Sequence, residues 1–168
     1  MGFPPKHIYP LDVDRAFKAL DRIKPQIAAW AATSTQAISL CQTGEVDFSF
    51  TISSRVKATT EAGGGVPLAF SFEQNLFSYE GASVLKGAPN KQSAMRLVAY
   101  LLRPEVQVRL MDGYGDLPIS RNAATMSSAS TGKWQADLNN PESLFVNSGY
   151  WADNLEALSV RFHEWVLN

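Results

Sequence analysis

The sequence predicts an α/β fold in which helices flank a largely parallel or mixed sheet. Two patterns along the 168 residues indicate this class. Segments whose apolar residues recur every three or four positions are typical of amphipathic helices, and they alternate with short segments of period two or of continuous apolar character, which are typical of strands. In such folds a ligand is expected in a crevice at the strand ends.

The first two helices carry clear start and stop signals. Asp12 is placed to cap a helix that Pro25 ends, and Thr33 with its two neighbours offers hydroxyl caps to a second helix that Gly44 ends. Residues 25–30 between them are predicted to form a short buried strand. Cys41 is expected to be a core thiol on the second helix.

A strand is predicted over residues 46–52, because large apolar residues alternate there with small or polar ones. Ser53 and Ser54 are expected to cap a helix over residues 55–62, which the glycine run 63–65 ends. This run follows a helix, whereas a phosphate-binding loop precedes one, so it does not indicate nucleotide binding.

The second half of the chain predicts further strands and helices. Strands are expected over residues 66–70 and 79–85, and helices over residues 91–102 and from Pro104 to about Gly113. Residues 113–150, with a low-complexity stretch at 125–131, are expected to form loops. The last helix has an apolar stripe that we expect to be mostly buried, formed by Trp151, Leu155, Leu158, Phe162 and Trp165.

Composition excludes several classes of function. The net charge of −1 provides no basic surface for nucleic acid, so no nucleic-acid partner is expected. A single cysteine and two histidines predict neither a disulfide nor a metal site, and nothing indicates a cofactor. No apolar run approaches the length of a membrane span, and residues 1–5 do not resemble a signal peptide. No nucleophile-elbow motif is present, which disfavours a hydrolase.

Glu80 is the most informative acidic residue. It lies near the start of a predicted strand, between Tyr79 and the small residues 81–83. A carboxylate at a strand end can bind a cation, and an aromatic neighbour adds cation–π attraction. A solvated or ion-paired surface acid is the alternative, and the pattern leaves both interpretations open.

Four segments carry a resemblance to a known family. They are residues 9–17 (YPLDVDRAF), 44–47 (GEVD), 86–91 (KGAPNK) and 150–154 (YWADN), the last followed by RF at 161–162 and EW at 164–165. In this order they resemble the C-terminal half of bacterial extracellular solute-binding proteins of the spermidine/putrescine-type ABC transporters. The resemblance implies a type II periplasmic-binding-protein fold, with a ligand enclosed between two α/β lobes by hinge closure. It also implies that residues 1–168 are a single C-terminal fragment with parts of both lobes, and that the N-terminal half is absent.

The resemblance also implies a set of ligand-binding residues. Ile52 and Ser53 occupy the positions of a Trp-Asn pair that faces the ligand in this family, and Glu80 matches an acid that commonly holds an ammonium group. A Trp two positions after that acid is replaced by Ala82, so aromatic walls are lost. Thr33 and Gln36 match a polar S-x-x-Q segment. With Tyr79 beside Glu80, these residues predict a site for a small polar, amine-bearing solute, and the lost aromatic walls disfavour a standard polyamine.

The function implied by the resemblance is the non-catalytic solute-binding component of an ABC importer. Its partners would be the solute and a membrane permease, and its location in the full-length protein would be periplasmic or extracellular. A sensory or effector module of a regulatory protein is the alternative, and a hydrolase is a third. A chain that lacks half of the fold is also expected to self-associate through the apolar surface left exposed.

Overall fold

The computed structural model describes residues 4–61, 66–126 and 132–168, and the chain forms two compact units. The first unit comprises residues 4–27, Glu73–Tyr79 and Asp137–Asn168, and the second comprises Ala28–Phe72 and Glu80–Ala136. The chain therefore passes between the units at four points along its sequence, after residues 27, 72, 79 and 136.

Helices dominate the described residues. In chain order the elements are α1 (Val13–Ile23), α2 (Ser34–Gln42), α3 (Ser53–Glu61), β1 (Leu76–Phe77), α4 (Lys91–Leu101), α5 (Pro104–Tyr114), α6 (Arg121–Ala124), β2 (Leu144–Phe145) and α7 (Ser148–Leu167). Three short 3-10 turns cover Pro5–His7, Lys24–Gln26 and Gly132–Trp134.

The first unit contains α1, α7 and the pair of strands. The Asp12 carboxylate accepts the backbone N–H of Arg15 at 3.0 Å and so caps α1, as the sequence predicts. Asn147 caps α7 in the same way. Strands β1 and β2 pair in parallel, with Leu76 opposite Leu144 and Phe77 opposite Phe145.

The second unit holds the most deeply buried described side chains. Ile38 of α2, Val56 of α3 and Trp134 form a cluster, against which Leu68, Phe70 and Phe72 pack. Gly44, at φ +75°, ends α2 in the left-handed conformation predicted for it. Gly115, at φ +85°, ends α5 in the same conformation.

The predicted strands are wrong as secondary structure. Residues 25–30, 46–52, 66–70 and 79–85 form no strand, while β1 and β2 lie elsewhere, β2 within the stretch predicted to be a loop. A strand requires a hydrogen-bonded neighbour, and β1 and β2 are the only such pair in the described ranges. The period-two pattern indicates which side chains can share a face. It carries no information about whether a second strand lies beside them.

Two helix predictions need correction. Helix α3 begins at Ser53, two residues earlier than expected, because the Ile52 carbonyl accepts the first N–H groups. On α7 the predicted stripe fails at Leu155, which is 56% exposed, whereas its other four residues are mostly buried, as predicted. The glycine run 63–65 and most of the low-complexity stretch lie outside the described residues.

Candidate functional site

Thr33 and Gln36 form a reciprocal cap at the start of α2. Thr33 Oγ1 accepts the backbone N–H of Gln36 at 3.2 Å, and Gln36 Oε1 accepts the N–H of Ala32 at 3.0 Å. These contacts satisfy donors that a helix N-terminus leaves open. Because the cap uses Oε1, the Nε2 amide group of Gln36 is the part of this side chain that can donate to a solute.

Ile52 and Ser53 stand at the start of α3. The Ile52 carbonyl accepts from Arg55 and Val56, and its side chain is exposed, whereas Ser53 is half-buried. Val56 meets Ile38 of α2 in the core cluster, and each of these two residues lies about one turn after the start of its helix. The N-terminal turns of α2 and α3, which carry four of the six predicted site residues, therefore flank one core cluster.

Glu80 is exposed and makes no hydrogen bond or ion pair with any residue in the described ranges. The ion-paired alternative for Glu80 is thus not found there. Tyr79, also exposed, stacks on Phe145 of the first unit, with ring centroids 5.9 Å apart and planes 23° apart. One of the four chain passages separates these two residues, because Tyr79 ends a segment of the first unit and Glu80 begins a segment of the second.

The structure therefore brings Thr33 and Gln36 into contact and places Ile52 beside Ser53. An approach of Glu80 or Tyr79 to those residues stays a prediction.

The buried Lys57 supports the start of α3. The sequence analysis assigned this lysine no role. Lys57 is 4% exposed, its Nζ donates to the carbonyl of Asp112 in α5, and it lies 3.6 Å from Glu61. Glu61 also accepts the indole N–H of Trp134 at 2.7 Å and pairs with Lys133 at 3.2 Å.

The hydrogen bond from Trp134 is the main cause that lowers the pKa of Glu61 below its usual value, and the two lysines add to it. The i,i+4 spacing of Lys57 and Glu61 was the available sequence signal. This network joins α3 to α5 and to the turn at residues 132–134.

The first unit carries a shallow depression of about 330 Å³ between side chains of α1 and α7. Arg161 pairs with Asp14 at 2.7 Å and lies over the ring of Phe17, and Trp165 Nε1 donates to Asp21 at 2.7 Å. The hydrogen bond from Arg161, followed by its charge, lowers the pKa of Asp14 below 3.8. These polar groups bind one another and hold α1 against α7. The depression is therefore part of the packing between two helices.

Metal binding and membrane insertion find no support in the described ranges. No three side chains of His, Cys, Asp or Glu converge there to hold a metal ion. No helix among those residues combines the length and apolar character needed to cross a bilayer.

Residues 5–142 match the family described as bacterial extracellular solute-binding protein. The gamma-aminobutyric acid-binding protein of Pseudomonas aeruginosa is 30% identical over 158 residues, which cover 93% of this chain and 44% of that protein. The spermidine/putrescine-binding periplasmic protein of Escherichia coli K12 is 22% identical over 165 residues, covering 98% and 46%.

A solved ABC transporter substrate-binding protein from Bradyrhizobium japonicum superposes with a TM-score of 0.82 at 27% identity, covering 98% of this chain and 52% of that one. This likeness confirms the predicted fold class. The chain spans about half the length of these relatives.

Proposed function

The chain belongs to the bacterial extracellular solute-binding proteins, as the resemblance predicts, and from this membership we propose that it acts as the solute-binding component of an ABC importer. The observation that carries the proposal is the match over residues 5–142, together with a relative named for gamma-aminobutyric acid that aligns over 93% of the chain. The protein would bind its solute in the periplasm or outside the cell, without turnover, and pass it to a membrane permease.

The proposed solute is small and carries an alkyl-ammonium group. Gamma-aminobutyric acid, putrescine and spermidine, for which the relatives are named, share this group. Glu80 supports the assignment because its carboxylate is exposed and has no partner among the described residues. An ammonium group would form a charge-assisted hydrogen bond with it.

We place the other predicted residues around this carboxylate, in a cleft between two lobes. The start of α2 favours a negatively charged solute group, because a helix N-terminus carries partial positive charge, and Gln36 Nε2 adds a donor there. Ser53 and Thr33 contribute hydroxyl groups, Tyr79 an aromatic face and Ile52 an apolar contact.

Titration calorimetry on the purified protein tests the site. Gamma-aminobutyric acid and putrescine are compared with butyrate and 1,4-butanediol, which have the same carbon chains without an ammonium group. A hydrogen bond to an ionised partner contributes about 1.5–3 kcal/mol, so Glu80→Gln should weaken binding of the amines about 10- to 150-fold. Glu156→Gln, the same change at an exposed acid on α7, should leave the affinity unchanged. Equal affinities for wild type and Glu80→Gln would refute the role of Glu80.

A second measurement separates a receptor from the alternatives. A solute that binds only the folded state at 100 times its Kd stabilises the protein by about 2.7 kcal/mol, which a thermal shift detects. Proton spectra of the solute should remain unchanged after prolonged incubation with the protein. Conversion of the solute would contradict the receptor function and favour an enzyme.

A further inference from the structure

Phe145 of β2 contacts two aromatic rings, one on β1 and one just beyond its end. The ring centroids of Phe145 and Phe77 are 5.0 Å apart, with the planes at 38°. The ring centroids of Phe145 and Tyr79 are 5.9 Å apart, with the planes at 23°. All three residues belong to the first unit. The sequence pattern predicts a loop around Phe145 and assigns this residue no role.

The pairing of the two strands explains this row of rings. The Val146 N–H donates to the Phe77 carbonyl at 2.8 Å, and the parallel register sets Phe77 opposite Phe145. Alternate residues of an extended chain point to the same side, and a diagonal neighbour on the facing strand is within reach of an aromatic side chain. Because Tyr79 follows Phe77 by two residues, its ring meets Phe145 on the same face of the strand pair.

Phe145 is the one described partner of the Tyr79 side chain through a ring, hydrogen-bond or charge contact. Tyr79 lies beyond the last hydrogen bond between the strands, and its hydroxyl group binds no residue that the structure describes. Its side chain is 71% exposed. Since one face of the Tyr79 ring is stacked on Phe145, the described residues leave its opposite face and its hydroxyl group open.

We infer that Phe145 is a positioning residue for solute binding, because it holds the Tyr79 ring so that the open face can meet an ammonium group. The inference rests on the proposed function, in which Tyr79 supplies an aromatic face to the solute. An ammonium group is attracted to an aromatic ring when it lies over the ring face, within about 6 Å of the centroid. Stacking on Phe145 orders the Tyr79 ring before the solute arrives, which lowers the entropy cost of binding.

Titration calorimetry with gamma-aminobutyric acid and putrescine tests the inference. The strength of a cation–π contact corresponds to a change in affinity of about 2- to 30-fold, so Tyr79→Leu should weaken binding within this range. Phe145→Leu keeps an apolar side chain but removes the ring, and it should weaken binding at least about 2-fold. Phe145→Tyr keeps the ring and should bind like wild type.

A double-mutant cycle separates positioning from a general structural effect. Because Phe145 acts through Tyr79, Phe145→Leu should cause no further loss of affinity in a protein that already carries Tyr79→Leu. Phe162→Leu is the matched control, since it makes the same change at a half-buried ring of α7 in the same unit, and it should leave the affinity unchanged. In NMR spectra of the solute-free protein, the ring protons of Tyr79 should shift in Phe145→Leu and stay in place in Phe162→Leu.

Two results would overturn the inference while leaving the proposed function intact. One is wild-type affinity in Phe145→Leu, and the other is a loss of affinity from Phe145→Leu that is equal with and without Tyr79→Leu. Failure of the wild-type protein to bind either amine would instead contradict the proposed function, and the inference with it. The outcomes are distinguishable because wild-type binding is measured before any variant.

Discussion

Replacement of Trp165 with alanine tests how α7 is held in the first unit. The sequence pattern places Trp165 and Leu155 in the same apolar stripe and so treats them alike. The structure separates them, because Trp165 contacts α1 while Leu155 is mostly exposed. The Trp165 ring lies edge-on to Phe17 at 5.9 Å, and the Lys24 ammonium stands 4.4 Å above it.

The expected cost follows from these contacts. A fully buried tryptophan removes about 150–250 Å² from water, so the partial burial of Trp165 removes at least about 100 Å², or about 2.5 kcal/mol at about 25 cal/mol per Å². The cation–π contact with Lys24 adds about 0.5 kcal/mol at such an exposed site. We therefore expect Trp165→Ala to cost about 3 kcal/mol, the lower end of the range for a fully buried tryptophan.

Native-state hydrogen exchange of the α7 amides measures this cost locally. A loss of about 3 kcal/mol lowers protection about 150-fold for amides that exchange by release of α7. Leu155→Ala, on the same helix, should cost less than about 1 kcal/mol, since its side chain is already more than half exposed. Similar losses of protection in the two variants would refute the reasoning and show that helix propensity, rather than contact with α1, holds α7.

Two further predictions concern glycine conformation and pH. Gly44→Ala should cost about 1–2 kcal/mol, because φ is +75° and nothing else lies near the added Cβ. Gly115→Ala should lower the urea midpoint further, since its Cβ would also stand 3.2 Å from Cδ of the buried Lys57; equal midpoints would contradict this. The Asp14–Arg161 pair should stabilise the protein fully above pH 3.8 and lose this effect as the pH falls through the lower pKa of folded Asp14, because protonation removes the negative charge. In NMR titrations Arg161→Gln should return that pKa toward 3.8, and an unchanged pKa would rule out Arg161 as the cause.

Local signals in the sequence predicted the helices well. Asp12, Thr33 and Gly44 occupy the capping positions that their chemistry favours, because caps involve atoms only a few residues apart. Because capping contacts span so few residues, the predicted start of α3 differs from the observed start by only two residues.

Strand pairing and the contacts of the site residues were predicted less well, because both depend on residues distant in sequence. Residues 46–52 have a strand's pattern but no neighbour among the described residues, so their phenylalanines remain exposed. Glu80 could be selected from its acidic character and small neighbours, but its lack of a described partner is a property of the folded chain. The role of Lys57 depends on Asp112, a residue 55 positions away, to which no local pattern points.

Chain-local chemistry thus established the family resemblance, the helix boundaries and the residue types available to bind a solute. Folding decided which of those side chains became buried and which stayed free. On α7, five residues at helical spacing have equal claims to burial in the sequence, yet contact with α1 half-buries Trp165 and leaves Leu155 in water. Burial is set by the surface that a second element presents, and periodicity within one helix carries no information about that surface.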